Sequence, residues 1–272
     1  MTTPGSNANT GASDLALAMD WGGTWARAAL IDREGRLLWQ DRIVNAAGAT
    51  QDDLLAAAGS LLQRAQAQAG DRSIAGAGIA LAGSIDAASS MLLSSPNLPA
   101  LNGANLPELW GPMLGLPVWV GNDANLAALG EYHYGAGRPQ PPNHEAARTL
   151  VYLTFSTGVG GGIVDRGVVF TGAAGAAGEV GHMTIDARAD SPACNCGNNG
   201  CLEALTSGTA IGRAAQARLG DATPGAPLQQ AYESDATVTS EAVFAAAARG
   251  DVVAIEVVDA AVGAMIIGLG NV

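Results

Sequence analysis

The sequence of 272 residues contains no lysine, because all 13 of its basic residues are arginine. A Walker A phosphate loop, the strand lysine of protein kinases and a Schiff-base nucleophile all require lysine, so these mechanisms are excluded. The net charge of −12, without any basic stripe, argues against nucleic acid as a partner. Aromatic residues make up only 4% of the chain, whereas glycine occurs 37 times. Close contacts between backbones are therefore favoured over a cofactor site of stacked rings.

Export and membrane signals are also scarce. Residues 1–13 are small and polar, without the basic start and apolar centre of a signal peptide, and predict a flexible tail. No apolar run is expected to reach the roughly 20 residues of a membrane span, since Asp251, Glu256 and Asp259 interrupt the C-terminal stretch. Three cysteines, all within 194–201, cannot form a disulfide framework and favour a reducing compartment. We expect a cytoplasmic protein with no membrane partner.

The hydrophobic pattern predicts an α/β protein with a repeated order of elements. Strands are predicted at 15–20, 25–31, 37–44, 74–81 and 117–120, and helices at 52–69, 106–114 and 124–134. After a Pro-rich surface loop at 137–143, the order strand, glycine turn, strand, acidic turn, strand begins again at Leu150. This duplication predicts an N-terminal domain, 14–121, and a C-terminal domain, 122–272, with a metal-binding insertion at about 171–205. An unrelated α/β protein with glycine hairpins is the alternative at this point.

Each predicted half carries a glycine turn that suits phosphate. The first turn contains Asp20, Gly22, Gly23 and Thr24, and the second contains Thr157, Gly158 and Gly160. Glycines let backbone N–H groups approach a phosphate closely, and Asp20 at a strand end suits Mg²⁺ through water. Either turn alone is equally typical of an ordinary hairpin. The pairing of the two turns at corresponding places favours polyphosphate binding without lysine.

A carboxylate follows the strand predicted at 117–120. Asn122 and Asp123 stand where that strand ends and a helix begins. Asp123 at this place suits a general base that accepts the proton of an attacking hydroxyl, and Asn122 suits the orientation of a neighbouring hydroxyl. Ordinary helix capping explains the same pair, because Asn and Asp are common capping residues.

The strongest local signal is a cluster of thiols with one histidine. The candidate ligands are His182, Cys194, Cys196 and Cys201. A Cys₃His set closes a tetrahedral zinc site and leaves no position for a reactive water, so the metal would be structural. Glu179 and Glu203 flank these ligands, and we expect the metal to direct both carboxylates toward one spot, where they would bind vicinal sugar hydroxyls. The remaining histidines, His133 and His144, have no partners at ligand spacing.

These motifs together resemble the ROK (repressor, open reading frame, kinase) family from about Leu15 onward. The motifs are Asp-x-Gly-Gly-Thr, Asn-Asp, the second glycine turn, Gly-Glu-x-Gly-His and Cys-x-Cys-Gly-x-x-Gly-Cys-x-Glu, in this order. The resemblance implies a duplicated actin/hexokinase-like (ribonuclease H-like) fold of two domains with a cleft. It also implies Asp123 as catalytic base, ATP phosphates on both turns, and a sugar site. The implied sugar-binding residues are Gly83, Asn97, Asn122, Asp123, Glu179, His182 and Glu203, with His182 also on zinc.

The expected function is phosphorylation of a hexose 6-hydroxyl by Mg·ATP, with glucose favoured and a structural zinc ordering the sugar site. The open alternatives are a sugar-binding sensor that lacks productive catalysis and an N-acetylhexosamine or fructose kinase. Trp21 and Trp25 stand where the family usually has smaller or polar residues, and Ala82 stands where it commonly has a proline. We expect these three residues to reshape the mouth of the sugar-binding site. Repressors of the family carry an N-terminal helix-turn-helix, and because about 14 residues precede the first strand here, we expect no such DNA-binding part.

The C-terminal part of the second half differs from the first. Helices are predicted around 206–219, 240–249 and 251–268, and no strand like that at 74–81 follows them. In the family, a glycine-rich loop for the adenosine and a helix that returns to the first half follow at this place. We therefore expect weak ATP binding, low activity and a homo-oligomer, a dimer. The last helix would leave Val253, Val257, Val262 and Ile266 with little to pack on.

Overall fold

A computed structural model describes residues 14–46, 48–86, 88–139 and 148–272. The tail predicted at 1–13, His144 and much of the loop predicted at 137–143 lie outside these residues. The chain divides into two compact units. The first comprises the described residues up to Arg138 together with Thr171–Ala176, and the second comprises those in Pro139–Phe170 and Ala177–Val272.

The first unit is built on a five-stranded sheet in the order β3-β2-β1-β4-β7. Its strands are β1 (Leu15–Trp21), β2 (Trp25–Ile31), β3 (Leu37–Val44), β4 (Ile74–Leu81) and β7 (Val118–Asn122). β1, β2 and β3 pair antiparallel, whereas β4 joins β1, and β7 joins β4, in parallel. The parallel pairs follow from the helical segments that connect these strands. All five strands confirm the sequence prediction to within two residues at each end.

A small hairpin of β5 (Ser84–Ile85) and β6 (Leu92–Ser94) follows β4 and was not predicted. Strands of two and three residues are too short to show an alternating pattern. The hairpin carries the chain from β4 into the loop that contains Asn97.

Three helices complete the first unit: α1 (Gln51–Ala69), α2 (Leu106–Leu114) and α3 (Asp123–Tyr134). α1 begins with a capping box between Thr50 and Asp53, which satisfies the first backbone N–H groups of the helix. α2 contributes Trp110, whose ring stacks on that of Trp21 with centroids 5.6 Å apart. Both rings are fully buried in the first core. Trp21 is therefore a core residue and does not shape a sugar mouth, which corrects the sequence expectation.

The domain boundary expected at 121/122 separates α3 from its partners. α3 packs against β7 and β4 of the first sheet, so the compact unit continues to Arg138. Residues 171–176, expected to open the metal-binding insertion, also belong to the first unit. Both differences arise because contacts in space, and not the repeat in sequence, define a compact unit.

The second unit contains the antiparallel strands β8 (Thr149–Phe155), β9 (Val159–Asp165) and β10 (Val168–Val169), in the order β10-β9-β8. The glycine turn expected over 157–162 is shorter than predicted, because residues 160–162 lie within β9. A Cβ on Gly161 would lie 2.9 Å from the carbonyl oxygen of Gly178. The glycines of β9 therefore serve close packing against the segment that leads to the metal ligands.

Five helices follow: α4 (Leu202–Thr206), α5 (Gly208–Ala217), α6 (Pro227–Asp235), α7 (Ser240–Ala248) and α8 (Val252–Asn271). The single helix predicted around 206–219 is interrupted at Ser207, whose side chain caps α5 by accepting from the N–H of Ala210 at 3.1 Å. α6 was not predicted, because its Gln, Glu, Ser and Asp residues give it a weak apolar pattern. These helices enclose a second core, to which Leu228, Val243 and Ala254 contribute.

The last helix, α8, has one buried and one exposed side. Val253 and Val257 are buried, contrary to expectation, whereas Val262 and Ile266 are 45% and 64% exposed. By length and composition α8 could cross a membrane, so the expectation that no segment reaches that length was wrong. The core helix of a soluble protein meets the same criterion, and α8 contributes Val253, Ala254, Val257 and Ala261 to the second core.

Candidate functional site

In the first unit, three strands end together at one edge of the sheet. Trp21 of β1 pairs with Leu81 of β4, and Leu81 pairs with Asn122 of β7. Because β1, β4 and β7 run in parallel, the segments that follow their carboxyl ends lie side by side. This edge therefore brings together the turn after β1, the loop after β4 and the helix start after β7, which carry the residues predicted for the first unit.

The turn between β1 and β2 is held by a residue that the sequence did not single out. Gly22 donates its N–H to the carbonyl of Trp25 at 3.0 Å, closing the turn. Asn45, directly after β3, donates its side-chain amide to the carbonyl of Gly22 at 2.6 Å and its backbone N–H to that of Thr24 at 2.9 Å. Asn45 is buried, so both contacts are shielded from water. Its place after a strand is the only signal that could have indicated it.

Asp20, predicted to hold Mg²⁺ through water, forms an ion pair. Nη1 of Arg27 lies 2.6 Å from Oδ2 of Asp20, and the two residues face each other across β1 and β2. Both side chains are about half exposed, so the pair contributes little to stability. A metal at Asp20 would therefore compete with Arg27 for this oxygen.

The Asn-Asp pair occupies the start of α3 as predicted. Asn122 accepts from the N–H of Asn125 at 3.1 Å and donates its amide to the carbonyl of Gly83 at 3.2 Å. Asp123 is exposed, and its Oδ1 accepts the N–H of Ala124 at 2.9 Å. Oδ2 of Asp123 has no hydrogen-bond partner in the part of the chain that the structure describes. The carboxylate is thus fixed by one oxygen and available through the other.

Asn97 belongs to the same edge. A Cβ on Gly23 would lie 3.2 Å from Oδ1 of Asn97, so this glycine allows the loop to approach the turn. The loop is locked by Ser95, which is buried, donates to the carbonyl of Ala82 at 2.6 Å and accepts from the N–H of Leu98 at 3.2 Å. Gly83 is confined as well, because a Cβ there would lie 2.7 Å from the carbonyl of Ser94. The first unit therefore gathers all of its predicted site residues.

In the second unit, the four predicted metal ligands form one cluster. Their ligand atoms all lie within 4.8 Å of one another. Sγ of Cys196 is 3.7 Å from Sγ of Cys201, and Sγ of Cys194 is 3.6 Å from Nδ1 of His182. A zinc–sulfur bond of about 2.3 Å places neighbouring ligands of a tetrahedron about 3.8 Å apart. Three thiols and one imidazole at these separations fit a structural Zn²⁺.

The protein environment sets the protonation of these thiols. Burial raises the pKa of the Cys201 thiol to about 12 and also raises that of Cys194. Hydrogen bonding to the backbone of Asn198 lowers the pKa of Cys196. Without a cation, the two buried thiols therefore keep their protons at neutral pH. A bound Zn²⁺ requires thiolates, so its binding would release protons.

The two flanking carboxylates contact different groups. Oε2 of Glu179 lies 3.8 Å from Nε2 of His182, the imidazole nitrogen that does not face the thiols. Glu203 instead accepts the N–H of Val159 at 2.9 Å through Oε2. A Cβ on Gly158 would lie 2.6 Å from that oxygen, so a side chain there would displace the Glu203 carboxylate. Glu203 therefore links the metal-binding segment to the second glycine turn.

The second turn is also fastened to α5. Gly208 donates its N–H to the carbonyl of Ser156 at 2.7 Å, and the hydroxyl of Thr209 donates to the carbonyl of Thr157 at 2.8 Å. The sequence Ser-Gly-Thr at 207–209 is typical of a helix start, but its contact with the turn could not be predicted. A cavity of about 1090 Å³ opens beside this junction, lined by hydroxyl-bearing residues of the turn and helix starts and by Phe155, Phe244 and Met265. Its size and mixed lining suit an organic phosphate.

Comparison with known proteins identifies the family. The model of the ROK family matches residues 16–272. The chain belongs to the ROK family. A glucokinase from Halalkalibacterium halodurans is 42% identical over 144 residues, which are 53% of this chain and 41% of that protein. An N-acetylmannosamine kinase from Escherichia coli O157:H7 is 36% identical over 219 residues, 80% of this chain and 70% of that protein.

A solved structure extends the similarity of this ROK protein to its fold. The ROK family glucokinase from Streptomyces griseus, in complex with glucose and AMPPNP, superimposes with a TM-score of 0.73 and 30% identity. The match covers 94% of this chain and 78% of the glucokinase. The predicted hexokinase-type, actin-like α/β fold is confirmed. The match to the curated glucokinase spans less than half of that relative's length.

Proposed function

We propose that this ROK protein is a Mg·ATP-dependent hexose kinase that phosphorylates the 6-hydroxyl of its sugar, with glucose favoured. The observation that carries the proposal is the edge where β1, β4 and β7 end together. That edge carries the Asp123 carboxylate, Asn122 and the glycine turn at 20–24, with β4 between the strand that ends at the turn and the strand that ends at Asn122. The kinases named among its relatives support the same chemistry.

Asp123 is the general base in this proposal. Its Oδ2 accepts the proton of the sugar 6-hydroxyl while the oxygen of that hydroxyl forms a bond to the terminal phosphorus of ATP. The bond from that phosphorus to the bridging oxygen breaks, and ADP leaves with the bonding electrons. The contact of Oδ1 with the N–H of Ala124 orients the carboxylate. Asn122, held by Gly83, orients the sugar from the neighbouring position.

Each unit offers one glycine turn to the phosphates of the donor, and the second unit also offers the cavity beside its turn. In a chain without lysine, backbone N–H groups are the donors for phosphate oxygens, supported by Asp20 through Mg²⁺. Gly22, Gly23 and Thr24 serve in the first turn. Thr157, Gly158 and Gly160 serve in or directly after the second, which the contacts to Glu203 and α5 keep in shape. The mixed lining of the cavity suits a nucleoside.

Zinc has a structural role in the proposal, since the Cys₃His set leaves no position for a reacting group. His182, fixed as a metal ligand, would limit the position of Glu179, whose Oε2 lies 3.8 Å from its Nε2. Glu179 and His182 then bind sugar hydroxyls, and Glu203 contributes from the start of α4. The same proposal places the protein in the cytoplasm, where ATP is available and thiols stay reduced.

The test is turnover by Asp123→Asn in a coupled assay with Mg·ATP and glucose. We expect kcat to fall at least about 10²-fold, as is typical for loss of a general base, with sugar affinity changed only a few fold. Asp71→Asn is the matched control, because Asp71 is an exposed carboxylate of the same unit, remote from the edge. Equal turnover by Asp123→Asn and wild type would remove Asp123 from this role.

N-acetylmannosamine is the second candidate substrate, supported by 36% identity to a kinase of that sugar over 80% of this chain. The same assay with glucose, N-acetylmannosamine, N-acetylglucosamine and fructose compares kcat/KM for each. A sensor is the third candidate, and calorimetry separates it from a kinase. Sugar binding without binding of an ATP analogue would favour the sensor.

A further inference from the structure

The cavity beside the second glycine turn has one cationic side chain among the described residues of its lining, that of Arg213. Cations are scarce in this chain, which has 13 arginines, no lysine and a net charge of −12. A cation in the lining of a cavity that suits an organic phosphate is therefore a candidate contact for an anionic ligand.

Three other arginines of the second unit lie beside carboxylates. Arg188 pairs with Asp186 at 2.7 Å, Arg218 pairs with Glu256 at 2.7 Å, and Arg166 lies 3.9 Å from Asp165. Arg213 is exposed and makes no ion pair with a carboxylate in the described ranges. Its guanidinium is thus available to an incoming anion, and no internal contact has to break first.

The position of Arg213 follows from the attachment of α5 to the second turn. Thr209 is bonded to Thr157 of that turn, and Arg213 follows Thr209 by four residues. Residues four apart lie on the same side of a helix, about 6 Å apart along its axis. Thr157, Thr209 and Arg213 all line the cavity. A phosphate chain that begins at the turn therefore passes along this side of α5.

The acidic residue in the lining, Glu241, makes no ion pair with Arg213. Its carboxylate is bonded to the hydroxyl of Ser240 at 3.2 Å, at the start of α7. Gly208 lies where α5, α7 and the turn meet, since a Cβ there would be 3.0 Å from Oγ of Ser240 and 3.1 Å from the carbonyl of Ser156. The carboxylate thus has a local partner at the helix start, whereas Arg213 has none.

We propose that Arg213 binds the phosphate chain of the phosphoryl donor and takes the place that lysine holds in other phosphate sites. This inference rests on the proposed function, because it names a donor contact of the same reaction. A guanidinium forms short, charge-assisted hydrogen bonds with phosphate oxygens and stays charged at every working pH. The contact recognises phosphate and not the nucleoside, so inorganic tripolyphosphate shares it.

The experiment measures equilibrium binding of Mg·ATP, Mg·tripolyphosphate, adenosine and glucose to wild type, Arg213→Gln and Arg213→Lys. Arg213→Gln should weaken Mg·ATP and Mg·tripolyphosphate by about tenfold each, the loss of one charge-assisted contact, and leave adenosine and glucose unchanged. Arg213→Lys should recover most of the loss, because it keeps the charge. The affinity of wild type for Mg·ATP should fall more steeply with added salt than that of Arg213→Gln.

The control is Arg249→Gln, since Arg249 is exposed in the same unit, lies outside this cavity and makes no ion pair with a described carboxylate. Unchanged Mg·ATP affinity in Arg213→Gln would overturn the assignment. So would an equal loss of adenosine affinity, which would place the contact on the nucleoside. If wild type binds neither Mg·ATP nor Mg·tripolyphosphate, the proposed function fails, and the role of Arg213 fails with it.

Discussion

The two glycine turns each join a pair of antiparallel strands but have different supports. The first turn is held within its own sheet, by the amide of Asn45 from the end of β3. The second is held by residues far along the chain: Glu203 bonds the N–H of Val159, and the start of α5 bonds Ser156 and Thr157. A glycine turn can therefore be stabilised by its own sheet or by a segment distant in sequence. The second kind connects the turn to the segment that carries the candidate metal ligands.

The sheets behind the turns differ as well. In the first unit β1 lies between β2 and β4, and the helices pack large buried side chains against it. In the second, β8 pairs among the described residues with β9 alone. Its core is built mainly of Ala and Val, and the exposed residues of α8 over 260–270 are apolar. The second unit therefore buries smaller side chains and leaves an apolar helix surface in water.

The largest effect should follow from removal of a metal ligand. Cys196→Ser should abolish stoichiometric zinc, because a hydroxyl replaces a thiolate. It should raise the sugar KM by about tenfold or more, since His182 and Glu203 lose their common support. Zinc content by mass spectrometry and sugar KM check this. Asp190→Asn, an exposed carboxylate of the same segment, serves as control. Normal sugar affinity in a zinc-free wild type would contradict the coupling.

A pair of variants tests the contrast between the two supports. Asn45→Ala should lower the free energy of unfolding of the first unit by about 1–3 kcal/mol, because the carbonyl of Gly22 loses its buried partner. Glu203→Gln should instead weaken donor binding by about fivefold, since a neutral amide accepts the N–H of Val159 less strongly than a carboxylate. Denaturation in urea and ATP titration measure the two effects.

The control for Asn45→Ala is Gln40→Ala, an exposed residue of β3. The contrast is refuted if Glu203→Gln changes only stability and not donor affinity, or if Asn45→Ala leaves the urea midpoint of unfolding unchanged.

The smallest change in stability is expected for substitutions on the exposed side of α8, which should instead reduce self-association. The double variant Val262→Ser, Ile266→Ser should reduce self-association of the chain, because exposed apolar surface drives contact between copies. The free energy of unfolding of the double variant should change little, because both side chains are already exposed. Val44→Ser, at a residue of the first unit that is 59% exposed, is the matched control. Sedimentation over a range of concentrations gives the result, and a wild type that stays monomeric throughout would refute it.

Much of the first unit was predictable because its signals are local. The hydrophobic pattern indicated β1 to β4, and the Asn-Asp pair marked the start of α3 correctly. The cysteine cluster was equally predictable, because its candidate ligands lie close in sequence and thiols at such spacing are typical of zinc sites. The weakly patterned α6, the short β5 and β6, and the position of Trp21 in the core were not predictable in this way.

The sequence by itself determined the family, the order of elements and the four candidate metal ligands, because each depends on residue types at short spacing. Only the tertiary structure decided that Glu203 supports a turn 44 residues away, that Asn45 and Ser95 lock the first edge, and that Arg213 faces a cavity. These contacts join residues that local patterns leave independent. They exist because the packing of strands and helices brings distant backbone groups within hydrogen-bond range, where a buried donor or acceptor must find a partner.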